Sequence, residues 1–243
     1  MSIVPFGQIL RRFVWLCALV FLAACSGPRE ATSDYGQFRA KLDGDDVLVE
    51  YIKDIRWVRQ SAPNLCWAAS LEQALDRQGV ELDQQRILQK FYPESDEKEG
   101  RTSNLLQWYL SPVFSDRIRD GSEVWIRLVV DHHDYEMYRY DFVSEIADEL
   151  SANRVPLVGI STGFGEGHVV TVIGAAYPID SKWLTTWRIV GFLVYDPLTA
   201  KPYLVSANEL YRKSEIIVSV TSFSSQTEAI LHCGRSCSRK SKL

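Results

Sequence analysis

The hydrophobic pattern changes period midway along the chain. After Cys66, residues Ala68, Ala69, Leu71, Ala74 and Leu75 recur at helical spacing, with Glu72, Gln73, Asp76 and Arg77 on the other face. The pattern predicts a mostly buried helix that opens at Cys66, just after the turn-forming Pro63-Asn64 pair, and ends near Gly79. Residues 82–92 predict a second amphipathic helix with Ile87, Leu88 and Phe91 inward. The charged stretch 93–101 reads as a solvated loop, and Ser103 caps a third helix through Leu110, stopped before Pro112. Residues 134–150, with Tyr138, Phe142, Ile146 and Leu150 in near-helical register, predict a long helix with Asp134 as N-cap. Strand patterns cover 46–57 and 124–130, then dominate the second half at 155–162, 168–177, 187–195, 201–205 and 215–221. Helices first and strands after predict an α+β fold: an N-terminal helical half, carrying the Cys66 helix, packed on a C-terminal antiparallel sheet half.

Composition narrows the class. With 243 residues, 46% hydrophobic and 24% charged, the chain is long enough for one sizeable globular core. A net charge of −4 offers no polybasic field, which argues against nucleic acid as a partner. The N-terminus sets the compartment. Arg11-Arg12 precede an apolar run over 13–24, too short for the ~20 residues a membrane-spanning helix needs. A basic start, a short apolar stretch and small residues at its end describe a secretory signal. Leu22-Ala23-Ala24-Cys25 resembles the lipobox of bacterial lipoproteins. That resemblance implies cleavage of a signal peptide over 1–24 and lipidation of Cys25, and Ser26 next to it implies sorting to the outer membrane. The expected organisation is a lipidated cysteine and tether over 25–45, a domain over 46–221 and a basic tail over 222–243. The final Ser-Lys-Leu has the form of a peroxisomal address, which an exported lipoprotein never presents to that receptor.

Of the other cysteines, Cys17 leaves with the signal, and Cys233 and Cys237 are a candidate disulfide in an oxidising envelope. With His232 they supply only a partial metal-ligand set. Cys66 is then the candidate nucleophile, because a thiol in the first turn of a helix meets unpaired N–H groups and the positive dipole end, which favour thiolate. His168 is the candidate base. Of four histidines it alone opens an apolar strand, Val169-Val170-Thr171-Val172, directly after the Gly-rich turn 163–167. Gln60, six residues before the cysteine, offers an amide donor to an oxyanion. Asp196, at the end of Val194-Tyr195-Asp196-Pro197, is the candidate for orienting the imidazole, with Asp180 as rival. Glu166 lies beside the histidine loop without further support. Asp131-His132-His133-Asp134 is a poor metal site, because adjacent residues do not face one another, and no cofactor is expected.

Gln60, the turn, Cys66-Trp67 and the Ala-rich helix resemble the active-site helix of papain-like cysteine peptidases, most of all the compact bacterial branch related to bacteriocin-processing peptidases. Asn64-Leu65 replaces the usual Gly-Ser. Gly-Glu-Gly-His168-Val-Val-Thr-Val-Ile-Gly resembles the histidine motif of the same group, and Val-Tyr-Asp196-Pro its acidic position. The resemblance covers about residues 50–220. It implies a thiol hydrolase acting on a peptide or isopeptide bond of a protein or peptide substrate, with Cys66, His168, Asp196 and Gln60 as its catalytic set. An acyl or transglutaminyl transferase would use the same residues, and a catalytically silent envelope-binding module would use only the cleft. Oligomeric state is open at this level.

Overall fold

The computed structural model describes residues 34–92, 113–118, 120–132, 138–161, 167–180, 185–226 and 228. Among them, nine strands form one antiparallel sheet: β1 (Tyr35–Leu42), β2 (Asp45–Ile52), β3 (Val113–Arg117), β4 (Glu123–His132), β5 (Leu157–Ser161), β6 (Gly167–Pro178), β7 (Gly191–Asp196), β8 (Lys201–Ser206) and β9 (Ser214–Phe223). The helices are α1 (Cys66–Arg77), α2 (Gln84–Phe91), α3 (Arg139–Ser151) and α4 (Ala207–Lys213), with a 3-10 turn at Thr186–Arg188.

The sheet branches at β6. Its order is β1-β2-β6-β5-β9-β4-β3, while β7 also pairs β6 and carries β8 on its far side. Strand β5 takes residues 167–171 of β6 and β2 takes 174–178, whereas β7 runs along 171–176 and overlaps both. Strand β7 therefore occupies the opposite edge. From Val169 to Tyr177, β6 is buried without alternation, so both of its faces are covered. Helices α1 and α3 both pack on it. At the β2 crossing, a Cβ on Gly174 would stand 2.4 Å from the Glu50 carbonyl oxygen, so only glycine allows that approach.

Several expectations need correction. The tether does not reach residue 45. Asp43 (φ 52°) and Gly44 (φ 96°) form a two-residue turn with both φ positive, which folds residues 35–42 back on β2 as a strand. The sheet also continues past 221, to Phe223. Because β1 and β2 join it through β6, the N-terminal half is not a purely helical layer. Helix α3 starts at Arg139 with Tyr138 in the cap position, so Asp134 does not cap it. The expected strand over 187–195 starts only at Gly191, after the 3-10 turn. Strand β3 and helix α4 were not foreseen by periodicity. The helix at 103–110, the charged loop 93–101, Glu166, His133, Asp134, Cys25, Cys233 and Cys237 lie outside the described residues. No described helix is long and apolar enough to cross a membrane.

Candidate active site

Two hydrogen bonds set α1 against β6. Ser70 Oγ donates to the Val169 carbonyl at 3.3 Å, and Thr171 Oγ1 donates to Gln73 Oε1. A three-residue helical step is matched by a two-residue strand step in the same direction, about 4.5 Å against about 6.6 Å. Extending this register backward brings Cys66, the first residue of α1, to the His168 end of β6. Cys66 is 3% exposed, Leu65 occupies the cap position, and no side chain caps the helix. A buried apolar flank, including the Trp67 ring packed edge-on against Phe91 and Tyr92, surrounds it.

Strand β7 delivers the carboxylate. It pairs with β6 through Thr171 opposite Tyr195, so Asp196 emerges one residue further on, beside the start of β6. His168 Nε2 lies 2.8 Å from Asp196 Oδ1. That leaves Nδ1 as the nitrogen for Cys66, whose interaction with the imidazole raises the His168 pKa. Burial pulls the His168 pKa down, but the Cys66 and Asp196 contacts outweigh it, and the imidazole is held above its ordinary value. Asp196 is itself anchored: Leu198 N–H donates to Oδ1 at 2.8 Å and Thr199 Oγ1 to Oδ2 at 3.3 Å. Asp180 lies elsewhere, largely exposed and 3.5 Å from Arg188.

Gln60 reaches the site by a separate route. Its backbone N–H donates to the Pro197 carbonyl at 3.0 Å, which ties the pre-helix segment to the Asp196 turn. Its carboxamide nitrogen donates to the Ala62 and Pro63 carbonyls at 2.9 and 2.7 Å. Both amide hydrogens therefore shape the turn, and one must be released before the group can serve an oxyanion.

Residues that periodicity did not single out frame this centre. Trp57, half-exposed, packs on Tyr195 with ring centroids 5.0 Å apart. The Tyr195 hydroxyl is buried with no hydrogen-bond partner among the described residues, and burial, then the Asp196 charge, raises its pKa. Buried Glu72 on α1 faces Arg56 at 3.1 Å and Gln84 at 3.1 Å. Burial raises the Glu72 pKa against the lowering effect of both partners. Gln84 had a visible signal: with Ile87, Leu88 and Phe91 it falls on the inner stripe of α2, where a polar residue needs partners.

No curated protein matches the chain. A family pattern does: it matches residues 52–217, about two thirds of the sequence, and its span includes Gln60, Cys66, His168 and Asp196. The chain belongs to the Peptidase_C39 like family, within the papain-like cysteine peptidase superfamily.

Proposed function

We propose that the protein is a lipid-anchored thiol hydrolase that cleaves a peptide or isopeptide bond through Cys66, His168 and Asp196. The observation that carries this reading is the His168–Asp196 hydrogen bond, on an imidazole whose pKa the neighbouring Cys66 helps to raise. His168 Nδ1 takes the thiol proton as sulfur attacks the substrate carbonyl carbon. The oxyanion receives the Cys66 backbone N–H and one Gln60 amide hydrogen, turned away from Ala62 or Pro63. Collapse breaks the C–N bond, and the imidazolium returns its proton to the leaving amine. Water, deprotonated by the same imidazole, then hydrolyses the thioester. Asp196 keeps Nε2 protonated and the ring in place. The anchor is the lipid on Cys25 after removal of residues 1–24, with the outer membrane as destination.

The test is alkylation at pH 6, where an ordinary cysteine of pKa about 8.5 is almost wholly thiol. Full-length protein is treated with iodoacetamide and the labelled residue located by mass spectrometry, beside Cys66→Ala and His168→Ala. Rapid labelling at Cys66 that collapses in His168→Ala supports the pair. Labelling indifferent to His168 refutes it. Incorporation of a palmitate analogue that is lost in Cys25→Ser tests the anchor.

A further inference from the structure

Gln84 stands outside the catalytic set, yet its side chain is 9% exposed and saturated with hydrogen bonds. Its Nε2 donates to the Arg59 carbonyl at 3.0 Å and to Glu72 Oε2 at 3.1 Å. Its Oε1 accepts from Ser61 N–H at 2.8 Å and from Ser61 Oγ at 3.0 Å. Two donors and two acceptors exhaust what a carboxamide offers in this geometry, and the four partners fix which end is nitrogen. The partners on the chain are the residues immediately before and after Gln60. The remaining partner, Glu72, sits on α1 and is also paired with Arg56.

Gln84 therefore grips the backbone on both sides of Gln60 and ties it to the helix that carries Cys66. From the other direction, Pro197 O holds the Gln60 N–H. With its backbone held so, Gln60 keeps only side-chain freedom, which is the motion needed to transfer one amide hydrogen from its own turn to an oxyanion. We infer that Gln84 is a positioning residue for the reaction: it places the oxyanion donor Gln60 relative to Cys66 without touching substrate. The inference rests on the thiol-hydrolase reading. No other side chain of this size replaces it, because a glutamate would lose both donors and set a second carboxylate against Glu72.

Two reactions of one thiol separate this role from general support of the fold. Acylation by p-nitrophenyl acetate passes through an oxyanion, whereas alkylation by iodoacetamide displaces iodide at a saturated carbon and does not. Both rates scale with the same thiolate fraction, so their ratio reports oxyanion stabilisation alone. In full-length Gln84→Glu at pH 8, the acylation-to-alkylation ratio is expected to fall roughly tenfold, less than the roughly 100- to 1,000-fold loss that outright removal of an oxyanion donor causes. It should recover as pH falls and the introduced carboxylate takes up a proton shared with Glu72. Ser61→Ala, which removes only the hydroxyl bond, should lower the ratio by about two- to threefold, and it carries the test if Gln84→Glu does not fold. Gln60→Ala must lower the ratio, and adding Gln84→Glu to it should change the ratio no further, since the second residue acts through the first. An unchanged ratio in folded Gln84→Glu and Ser61→Ala overturns the inference, as does a parallel fall of both rates. If wild-type Cys66 resists iodoacetamide at pH 6, the hydrolase reading fails and takes the inference with it, a result distinct from normal alkylation with an unmoved ratio.

Discussion

Replacing Asp196 by asparagine removes one charge and almost nothing else. Oδ1 accepts two N–H donors, His168 Nε2 and Leu198 N, while Oδ2 accepts from the Thr199 hydroxyl among the described residues. An asparagine oxygen at the Oδ1 position keeps both donors, and its NH2 donates to Thr199 Oγ1 instead of accepting. The loss is the charge-assisted part of the His168 bond. Bonds to charged groups contribute about 1.5–3 kcal/mol against about 1 for neutral ones, so the difference is on the order of 1.4 kcal/mol. Both side chains are about one-sixth exposed, at 17% and 16%, so screening trims this without abolishing it. The imidazolium partner of the thiolate should then be about tenfold less populated, and alkylation of Cys66 by iodoacetamide at pH 6 about tenfold slower. Asp196→Ala also frees the ring, and the expected slowing is on the order of a hundredfold. The assay is the second-order alkylation rate across pH 5–9, with melting temperature to verify folding. A wild-type rate profile in Asp196→Asn would refute the electrostatic role assigned to this carboxylate. Equal rates in the Asn and Ala variants would refute the orienting one.

Three further outcomes are expected. The folded His168 pKa is raised, so its contribution to stability is complete below about pH 6.5 and is lost as pH rises through the folded value. Melting temperature should therefore decline over that rise more in wild type than in Cys66→Ala, which lacks one raising partner. Tyr195→Phe deletes a buried hydroxyl without a partner and should leave stability unchanged or raise it by up to about 1 kcal/mol in urea unfolding. Leu75→Ala, at a fully buried α1 position, should cost about 2–5 kcal/mol by the same measurement.

How much of this was legible beforehand depends on the range of the interactions. The Cys66 helix could be read because its apolar spacing and the Pro63-Asn64 turn are local, and the observed α1 starts at the expected residue. The expected strands 168–177 and 201–205 recur within a residue at each end as β6 and β8. Strand β1 was hidden by its polar, partly exposed sequence, although Asp43-Gly44 was a sufficient hairpin signal. Helix α4 is only seven residues long, and its Ser206 cap, accepting from Glu209 N–H, is too brief a pattern to stand out. The branching at β6 depends on pairings such as Val47 with Pro178, between residues far apart in the chain, which no local period encodes. The same holds for the Gln84 grip: its inner-stripe position announced a need for partners, but not that they would flank Gln60.

The bond from Gln60 N–H to Pro197 O joins two segments on opposite sides of β6 in the sequence. Cys66, His168 and Asp196 likewise come from α1, β6 and β7, and nothing short of the docked β6–β7 pair brings them together. On the proposed reading, an unfolded or partly folded chain thus lacks the imidazole that takes the Cys66 proton, whatever its local helix content. Activation of Cys66 by His168, if the proposed triad operates, marks the moment of tertiary assembly. During refolding, the onset of alkylation at pH 6 would time the closing of this long-range contact, as a chemical clock that helix formation alone cannot start.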